Sequence, residues 1–281
     1  MLRKAVFLLL LFAHVLMADF DYSVNNSNFT ISQGSEVLNS NKTTMYNYDR
    51  LRFRGDYTND GFFVTVIADG VNYYGEDYTN STTFDYLKLQ KSDTPFSTQT
   101  TFHDYHEGSA YAKLYRLYGG YEDEKNKVVV GIQNISMGVG RIWTPTNLFN
   151  PKNSYALEPD EVFGVAAVSY TRHLDDTSHV SVVASQKNDD SYKYALRYKA
   201  FLGFADFAVD GVSSNDTKML GFEVEGNLAD TGVELRSEGA YIKNSLYTSL
   251  STKEEKEFYQ AIVGADYGFV NGVTAVIEAF Y

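Results

Sequence analysis

Over most of its length the chain alternates apolar and polar side chains with a period of two, broken by Gly, Asn and Asp turns. In Tyr48–Tyr57, one face carries Leu51, Phe53, Gly55 and Tyr57, and the other carries Arg50, Arg52, Arg54 and Asp56. Tyr192–Leu202 sets Tyr192, Tyr194, Leu196, Tyr198, Ala200 and Leu202 against Lys193, Arg197 and Lys199. In Leu220–Leu228, Leu220, Phe222 and Val224 oppose Glu223, Glu225 and Asn227; in Val233–Ile242, Val233, Leu235 and Tyr241 oppose Glu234, Arg236 and Glu238. Tyr259–Phe269 presents Tyr259, Ala261, Val263, Ala265, Tyr267 and Phe269 as one apolar stripe. A dyad of this kind sustained over segments of about ten residues predicts strands rather than helices. No segment shows sustained helical periodicity.

Strands are expected near 20–32, 45–57, 62–74, 109–121, 127–137, 163–174, 179–186, 192–202, 204–213, 218–228, 233–242, 257–269 and 273–281. Short connections fall at Thr58–Gly61, Asp123–Asn126, Asp175–Ser178, Ala229–Gly232 and Asn271–Gly272. Longer ones lie between them, at Gly75–Gly108, Gly138–Val162 and Lys243–Lys256. Alternation of short and long connections is the rhythm of bacterial outer-membrane barrels, whose periplasmic turns are short and whose extracellular loops are long. A soluble β-sandwich also alternates, so the dyad alone does not decide. Tyr and Phe near strand ends, an export signal and the loop rhythm together favour the barrel. The expected fold is therefore an all-β, antiparallel transmembrane β-barrel with about 12–14 strands in this chain.

Thirteen strands would leave the last one running outward, whereas single-chain bacterial barrels use an even number. Either the first strand is spurious or the reading frame continues beyond Tyr281, and the second is expected because an odd strand leaves an unpaired edge in lipid. The final Phe280-Tyr281 resembles the terminal aromatic that such barrels offer to the barrel assembly machinery.

Composition narrows the function. The chain has 281 residues, no Cys, 23 Tyr and 19 Phe but one Trp, and a formal charge of −12. The absence of Cys removes thiolate metal sites and thiol nucleophiles. The acidic balance argues against nucleic-acid partners, which need a basic footprint. Residues 1–18 read MLRKAVFLLLLFAHVLMA, with Arg3 and Lys4 ahead of an apolar run and Ala18 at a plausible cut site. This predicts a cleaved signal peptide over 1–18 and a barrel over 19–281. An N-terminal anchor is the alternative, but the apolar run is short of the about 20 residues a span requires.

Val128–Pro151 reads VVVGIQNISMGVGRIWTPTNLFNP. It resembles a group of outer-membrane porin-type barrels in which a strand ending G-R-Q-R-I-x-W-G runs into a loop G-x-x-x-x-P-T-D-x-x-N-P. Gly131, Gln133, Ile135, Gly138, Gly140, Pro145, Thr146, Phe149, Asn150 and Pro151 stand at the matching positions, and Ala156–Glu161 and the Tyr111–Tyr121 strand continue the match. The motif's two arginines are replaced by Ile132 and Asn134, its tryptophan by Met137 and its aspartate by Asn147. The resemblance implies a porin-like barrel in the outer membrane of a Gram-negative cell, with no defined substrate. From the residues themselves, Gly138 and Gly140 permit unusual backbone geometry, and Pro145 and Pro151 stop pairing. Two roles follow for this loop: Arg141, Trp143, Pro145, Asn147 and Asn150 narrow the mouth or lumen, or the loop is a latch that caps the barrel.

No motif carries catalysis. His103-Asp104-Tyr105-His106-Glu107 is the one dense group of metal-type ligands, but it sits in a loop without a fixed third ligand and reads as solvated charge. No Walker loop, dinucleotide fingerprint or nucleophile in a recognisable setting is present, so neither enzyme chemistry nor a cofactor is expected. The expectation is a pore for passive diffusion of small hydrophilic solutes. Its lining would be Arg50, Arg52, Arg54, Asp56, Lys193, Arg197, Lys199, Glu223, Glu225, Glu234, Arg236 and Glu238, since twelve or more strands enclose more space than side chains fill. The charges either keep the lumen wet or set a basic wall against an acidic one. Six Asp/Glu against two Lys in Gly75–Gly108 suggest mild cation attraction at the outer mouth. The alternative is a plugged structural or adhesive barrel with ligand-binding extracellular loops. Outer-membrane lipid, lipopolysaccharide and the assembly machinery are the other expected partners; the residues say nothing about oligomeric state.

Overall fold

The computed structural model describes residues 19–37, 40–150, 157, 161–247 and 253–281, so the expected signal peptide lies outside the described residues. The strands are β1 (Asp19–Val37), β2 (Ser40–Asn59), β3 (Phe62–Tyr74), β4 (His103–Tyr105), β5 (Gly108–Glu122), β6 (Asn126–Gln133) and β7 (Val165–His173). They continue with β8 (Ser178–Gln186), β9 (Tyr192–Phe201), β10 (Asp206–Ser213), β11 (Thr217–Asn227), β12 (Val233–Tyr247), β13 (Lys253–Gly268) and β14 (Thr274–Phe280). All fourteen belong to one antiparallel sheet, each long strand paired with the next in sequence, with β4 off the path on β5. The thirteen expected strands all form. The first is far from spurious: β1 pairs with β2 from Asp19↔Thr58 to Val37↔Ser40.

Charge placement distinguishes this sheet from a soluble one. Leu51, Phe53, Val64, Leu196, Leu220, Tyr259, Val263 and Ile277 are exposed, whereas Arg50, Asp69, Lys113, Arg116, Asp210, Glu223, Arg236 and Glu238 are buried. A soluble sheet cannot leave such a belt in water, where patches beyond a few hundred Å² are rare. A barrel wall with its greasy face toward hydrocarbon and its charged face enclosed has this inverted order.

Three departures from the expected boundaries have physical causes. The connection expected at Lys243–Lys256 is mostly ladder, with pairing continuing to Tyr247↔Lys253. Here the strands carry charge instead of an apolar stripe, and Lys243 Nζ meets Glu255 at 2.8 Å and Glu257 at 3.4 Å across the hairpin. Outside hydrocarbon a strand needs no greasy face, so hydrophobic periodicity does not mark it. Second, Gly75–Gly108 contains two short helices, α1 (Glu76–Thr79) and α2 (Thr82–Leu89). Ser81 caps α2 by accepting the Phe84 N–H, and Phe84 and Leu87, three apart, bury one face. With Tyr78 they pack on Tyr46, Tyr48, Val71 and Tyr73 of β2 and β3, folding this connection inward.

Third, β6 ends at Gln133 rather than 137 and pairs with only the lower part of β5, from Leu117↔Ile132 to Glu122↔Lys127. The upper part of β5 takes the preceding connection as its second neighbour: β4 pairs from His103↔Ala110 to Tyr105↔Gly108, Thr100 N–H donates to Ala112 O at 2.9 Å, and Leu114 N–H donates to Thr98 O at 2.7 Å. Buried backbone groups must find partners, so this segment closes the seam that β6 leaves open. The chain after β6 is free to turn into the interior at half the wall's height.

The turns at 60–61, 123–125, 174–177, 202–205, 228–232 and 269–273 share the end opposite these long connections. The 174–177 turn is held by Asp175, whose carboxylate accepts Ser178 Oγ–H at 2.6 Å, Thr177 N–H at 2.9 Å and Thr177 Oγ1–H at 3.0 Å. These bonds favour the ionised form, the Ser178 hydroxyl most, and pull its pKa to about 2. The turn's contribution is therefore present above the ordinary Asp range and lost only as pH falls through about 2. A carboxyl-carbon NMR titration is expected to show this midpoint, and Ser178→Ala to move it up toward the ordinary value; an unmoved midpoint counts against this bond.

Candidate functional site

The described parts of the connection between β6 and β7, residues 134–150, 157 and 161–164, leave the wall, and residues 138–146 cross the enclosed face. The base of this segment is tied by one side chain: Asn150 accepts the Ile135 N–H at 2.7 Å and donates to Phe163 O at 2.6 Å, bridging the two ends where ladder bonds stop. From there its amides run along carboxylates of β11, β12 and β14. Gly138 N–H donates to Glu223 at 2.6 Å; Val139 and Gly140 donate to Glu238 at 2.9 and 3.1 Å. Arg141, Ile142 and Trp143 donate to Glu278 at 2.9, 3.1 and 2.9 Å. Thr146 adds its N–H and hydroxyl to Glu238 at 2.6 and 2.8 Å. Six consecutive amides thus end on three carboxylates, an anion-binding array of the kind that successive backbone N–H groups make.

Glycine makes this approach possible. Gly138 has φ 92°, and a Cβ there would lie 2.8–2.9 Å from the Glu238 carboxylate oxygens. At Gly140 a Cβ would fall 1.6 Å from the carbonyl oxygen of Trp143, so the turn has room for hydrogen alone.

The same segment reaches the opposite wall. Glu161 meets Arg50 at 2.7 Å, Arg52 at 2.6 Å and Lys113 at 3.6 Å, while Arg52 also holds Asp69 at 2.6 Å. The Tyr115 ring lies under the Arg52 and Arg116 guanidinium carbons at 4.1 and 4.0 Å. A register shift between Ile67 and Ala68 explains this crowding: Ile67 pairs with Arg116 and Ala68 with Leu114, leaving Tyr115 as the extra residue of a bulge. The bulge changes parity, so Lys113 and Arg116, three apart, are both buried on the enclosed side.

Every lining residue expected from the dyad can be located. Arg54 pairs with Asp56 at 2.5 Å, Lys193 donates to Leu148 O at 2.8 Å, Arg197 bridges Asp210 at 3.0 Å and Glu223 at 2.6 Å, and Lys199 lies 3.5 Å from Asp206. Arg141 reaches Glu225 at 3.3 Å, Glu234 at 2.6 Å and Asp266 at 3.2 Å. Arg236 sits between Asp266 at 2.6 Å and Glu278 at 3.4 Å. Trp143 stacks on Phe280 at 5.4 Å between ring centroids, Pro145 is buried, and Asn147 Oδ1 is buried with no hydrogen-bond donor among the described residues. The pattern overlooked Asp210, Asp266 and Glu278, although each alternates with apolar neighbours on its strand. It also overlooked Asp69, Lys113, Tyr115, Arg116 and Glu161. Of the loop group considered for metals, Asp104 binds Lys88 at 2.9 Å and Ser109, and Glu107 accepts the Tyr74 hydroxyl.

Below the crossing segment, toward the short turns, lies a cavity of about 740 Å³ lined by side chains of seven strands. Its cations are Arg54, Arg116, Lys127, Arg197 and Lys199, of which Arg54, Lys127, Arg197 and Lys199 are paired with Asp56, Glu122, Glu223 and Asp206, leaving Arg116 as the one without an ion pair among the described residues. Arg116 donates to two carbonyls, Tyr115 O at 2.7 Å and Val162 O at 3.0 Å. Above the segment a second cavity of about 480 Å³ lies between it, Gln260, Phe280 and the loops carrying Lys91 and Asn188.

Neither a protein-family model nor a curated protein sequence matches the chain. Solved structures do share its architecture. Pseudomonas aeruginosa OccK2 (OpdF) in complex with glucuronate superposes with a TM-score of 0.52 at 8% identity, over 93% of this chain and 65% of that one. A second OccK2 (OpdF) structure gives 0.53 at 8%, with the same coverage. Acinetobacter baumannii OccAB3 gives 0.52 at 11% identity, over 95% of this chain and 67% of that one. The chain thus spans about two thirds of the length of these proteins, and the shared feature is the fold.

Proposed function

We propose that the protein is an outer-membrane, porin-like channel through which small hydrophilic solutes, anions in preference, diffuse passively. The observation that supports this reading best is a cavity holding the Arg116 cation, which has carbonyl but no carboxylate partners among the described residues, beneath a segment that narrows the enclosed space without filling it. The inverted burial of the sheet, the resemblance of residues 128–151 to porin-type loops, and the fold shared with glucuronate-bound OccK2 point the same way. Nothing in this reading requires catalysis or a cofactor. Outer-membrane lipid and lipopolysaccharide would contact the apolar belt, and the export signal and assembly machinery would deliver the chain there.

The cation attraction expected at the acidic outer connection carries less weight here. Exposed carboxylates are screened within about 8 Å at physiological salt, whereas charges inside a low-dielectric wall are not. Arg116 in particular is buried and held by carbonyls, so its charge stays uncancelled at the cavity. In planar bilayers under a salt gradient, the purified protein is expected to open in discrete steps with an anion-selective reversal potential. Arg116→Met should move that potential toward zero. Silence in the bilayer would favour the plugged, adhesive barrel instead, and cation selectivity would overturn the assigned preference.

A further inference from the structure

The upper cavity has a lining that the charged wall does not explain. On one side stand Trp143 and Phe280, stacked at an interplanar angle of 26° and still 43% and 46% exposed. On the others stand Asn147, Asn188 and Gln260, neutral amides that both donate and accept. At about 480 Å³ the space lies within the range of small-molecule sites, about 300–1,000 Å³.

We propose that this cavity is a saccharide subsite that holds a single pyranose ring. The flat apolar face of the ring, rich in polarised C–H bonds, lies on the outer face of Trp143, whose other face is backed by Phe280. Its hydroxyls, each both donor and acceptor, match the amides of Asn147, Asn188 and Gln260. A purely aromatic ligand would use the platform but leave the amides unpaired, and a simple carboxylate would use the amide donors and lysines but leave the platform bare. Lys91 at the rim adds a contact for a ring that bears an acid group. The inference rests on the channel reading in one respect: a sugar bound here is poised above the lower cavity as the solute to be passed on.

The chain's single tryptophan is Trp143, so its emission reports this cavity alone. The purified protein in detergent should show a saturable change in tryptophan emission with methyl glucoside and with glucuronate. Sorbitol, an acyclic polyol with similar hydroxyls, should give none at equal concentration. Gln260→Leu should weaken pyranose binding about tenfold, the equivalent of one hydrogen bond. Phe280→Ala should weaken it without abolishing the signal. Equal, unsaturable responses to sorbitol and the pyranosides would overturn the subsite, even where bilayers show open channels. A saturable pyranoside response from a protein that is silent in bilayers would uphold the subsite and remove the channel reading instead.

Discussion

Replacing Glu238 with glutamine is expected to detach the 138–146 segment from the wall, exposing Arg141 to trypsin and raising the single-channel conductance. Glu238 is fully buried and takes the amides of Val139, Gly140 and Thr146 together with the Thr146 hydroxyl. Glutamine keeps the shape but turns one acceptor oxygen into an N–H2 group. That group then faces either the Val139 and Gly140 amides or those of Thr146, donor against donor. Each buried donor left without an acceptor costs about 1–3 kcal/mol, so the exchange removes several kcal/mol of docking. The sheet does not depend on these bonds, because its ladder runs through backbone groups on both sides of Glu238. The variant should therefore keep the heat-modifiable migration of a folded barrel on SDS gels. Arg141 is the one basic residue between Asn134 and Asn150, so a cut there is unambiguous. Protection of Arg141 and an unchanged conductance in the variant would show that the segment is held by something other than this carboxylate.

That result would also settle which of the two roles read from the loop's sequence matters. The structure merges them: the amides that latch the segment are the ones that set its position across the space. Glycine and proline announced an irregular backbone at 138–151, but not its partners, because backbone amides carry no sequence signature. Glu223 and Glu238 were legible as inward charges by parity, and their role as acceptors for a distant loop was not. Arg50, Arg52 and Arg54 were legible for the same reason, each standing on the polar face of an unbroken dyad. Glu278 and Asp266 obey the same dyad, but each is a lone charge among apolar and small neighbours, the weakest form of that signal. Glu161 sits in irregular chain, where no periodicity exists to orient it. Lys113 and Arg116 lay beyond any parity rule, since residues three apart share a strand face only across a bulge.

The bulge itself gives the second large effect: deleting Ala112 should prevent correct assembly of the wall, whereas deleting Tyr115 should be tolerated. Tyr115 is the residue without a partner on β3, so its removal makes Ile67↔Arg116 and Ala68↔Leu114 consecutive pairs and leaves the other pairs in place. Lys113 and Arg116 then keep the enclosed face, and only the ring beneath Arg52 and Arg116 is given up, a loss of about 1–2 kcal/mol. Deleting Ala112 shortens β5 by the same one residue, but on the far side of Lys113. With both ends of the strand still paired, the bulge is absorbed, and Tyr115, Leu114 and Lys113 move opposite Ala68, Asp69 and Gly70. Parity then turns Lys113 outward and draws Leu114 inward. A cation from the middle of a 15-residue strand meets hydrocarbon, at about 2–4 kcal/mol near the bilayer midplane, and Glu161 loses Lys113 as a partner. If the bulge stays instead, the upper ladder slips by one and Tyr111 and Ser109 turn outward. Refolding yield into detergent and the urea midpoint of unfolding distinguish the two deletions. If the Ala112 deletion refolds with the parent's midpoint, the bulge is not setting the face of Lys113, and the burial of that residue has another cause.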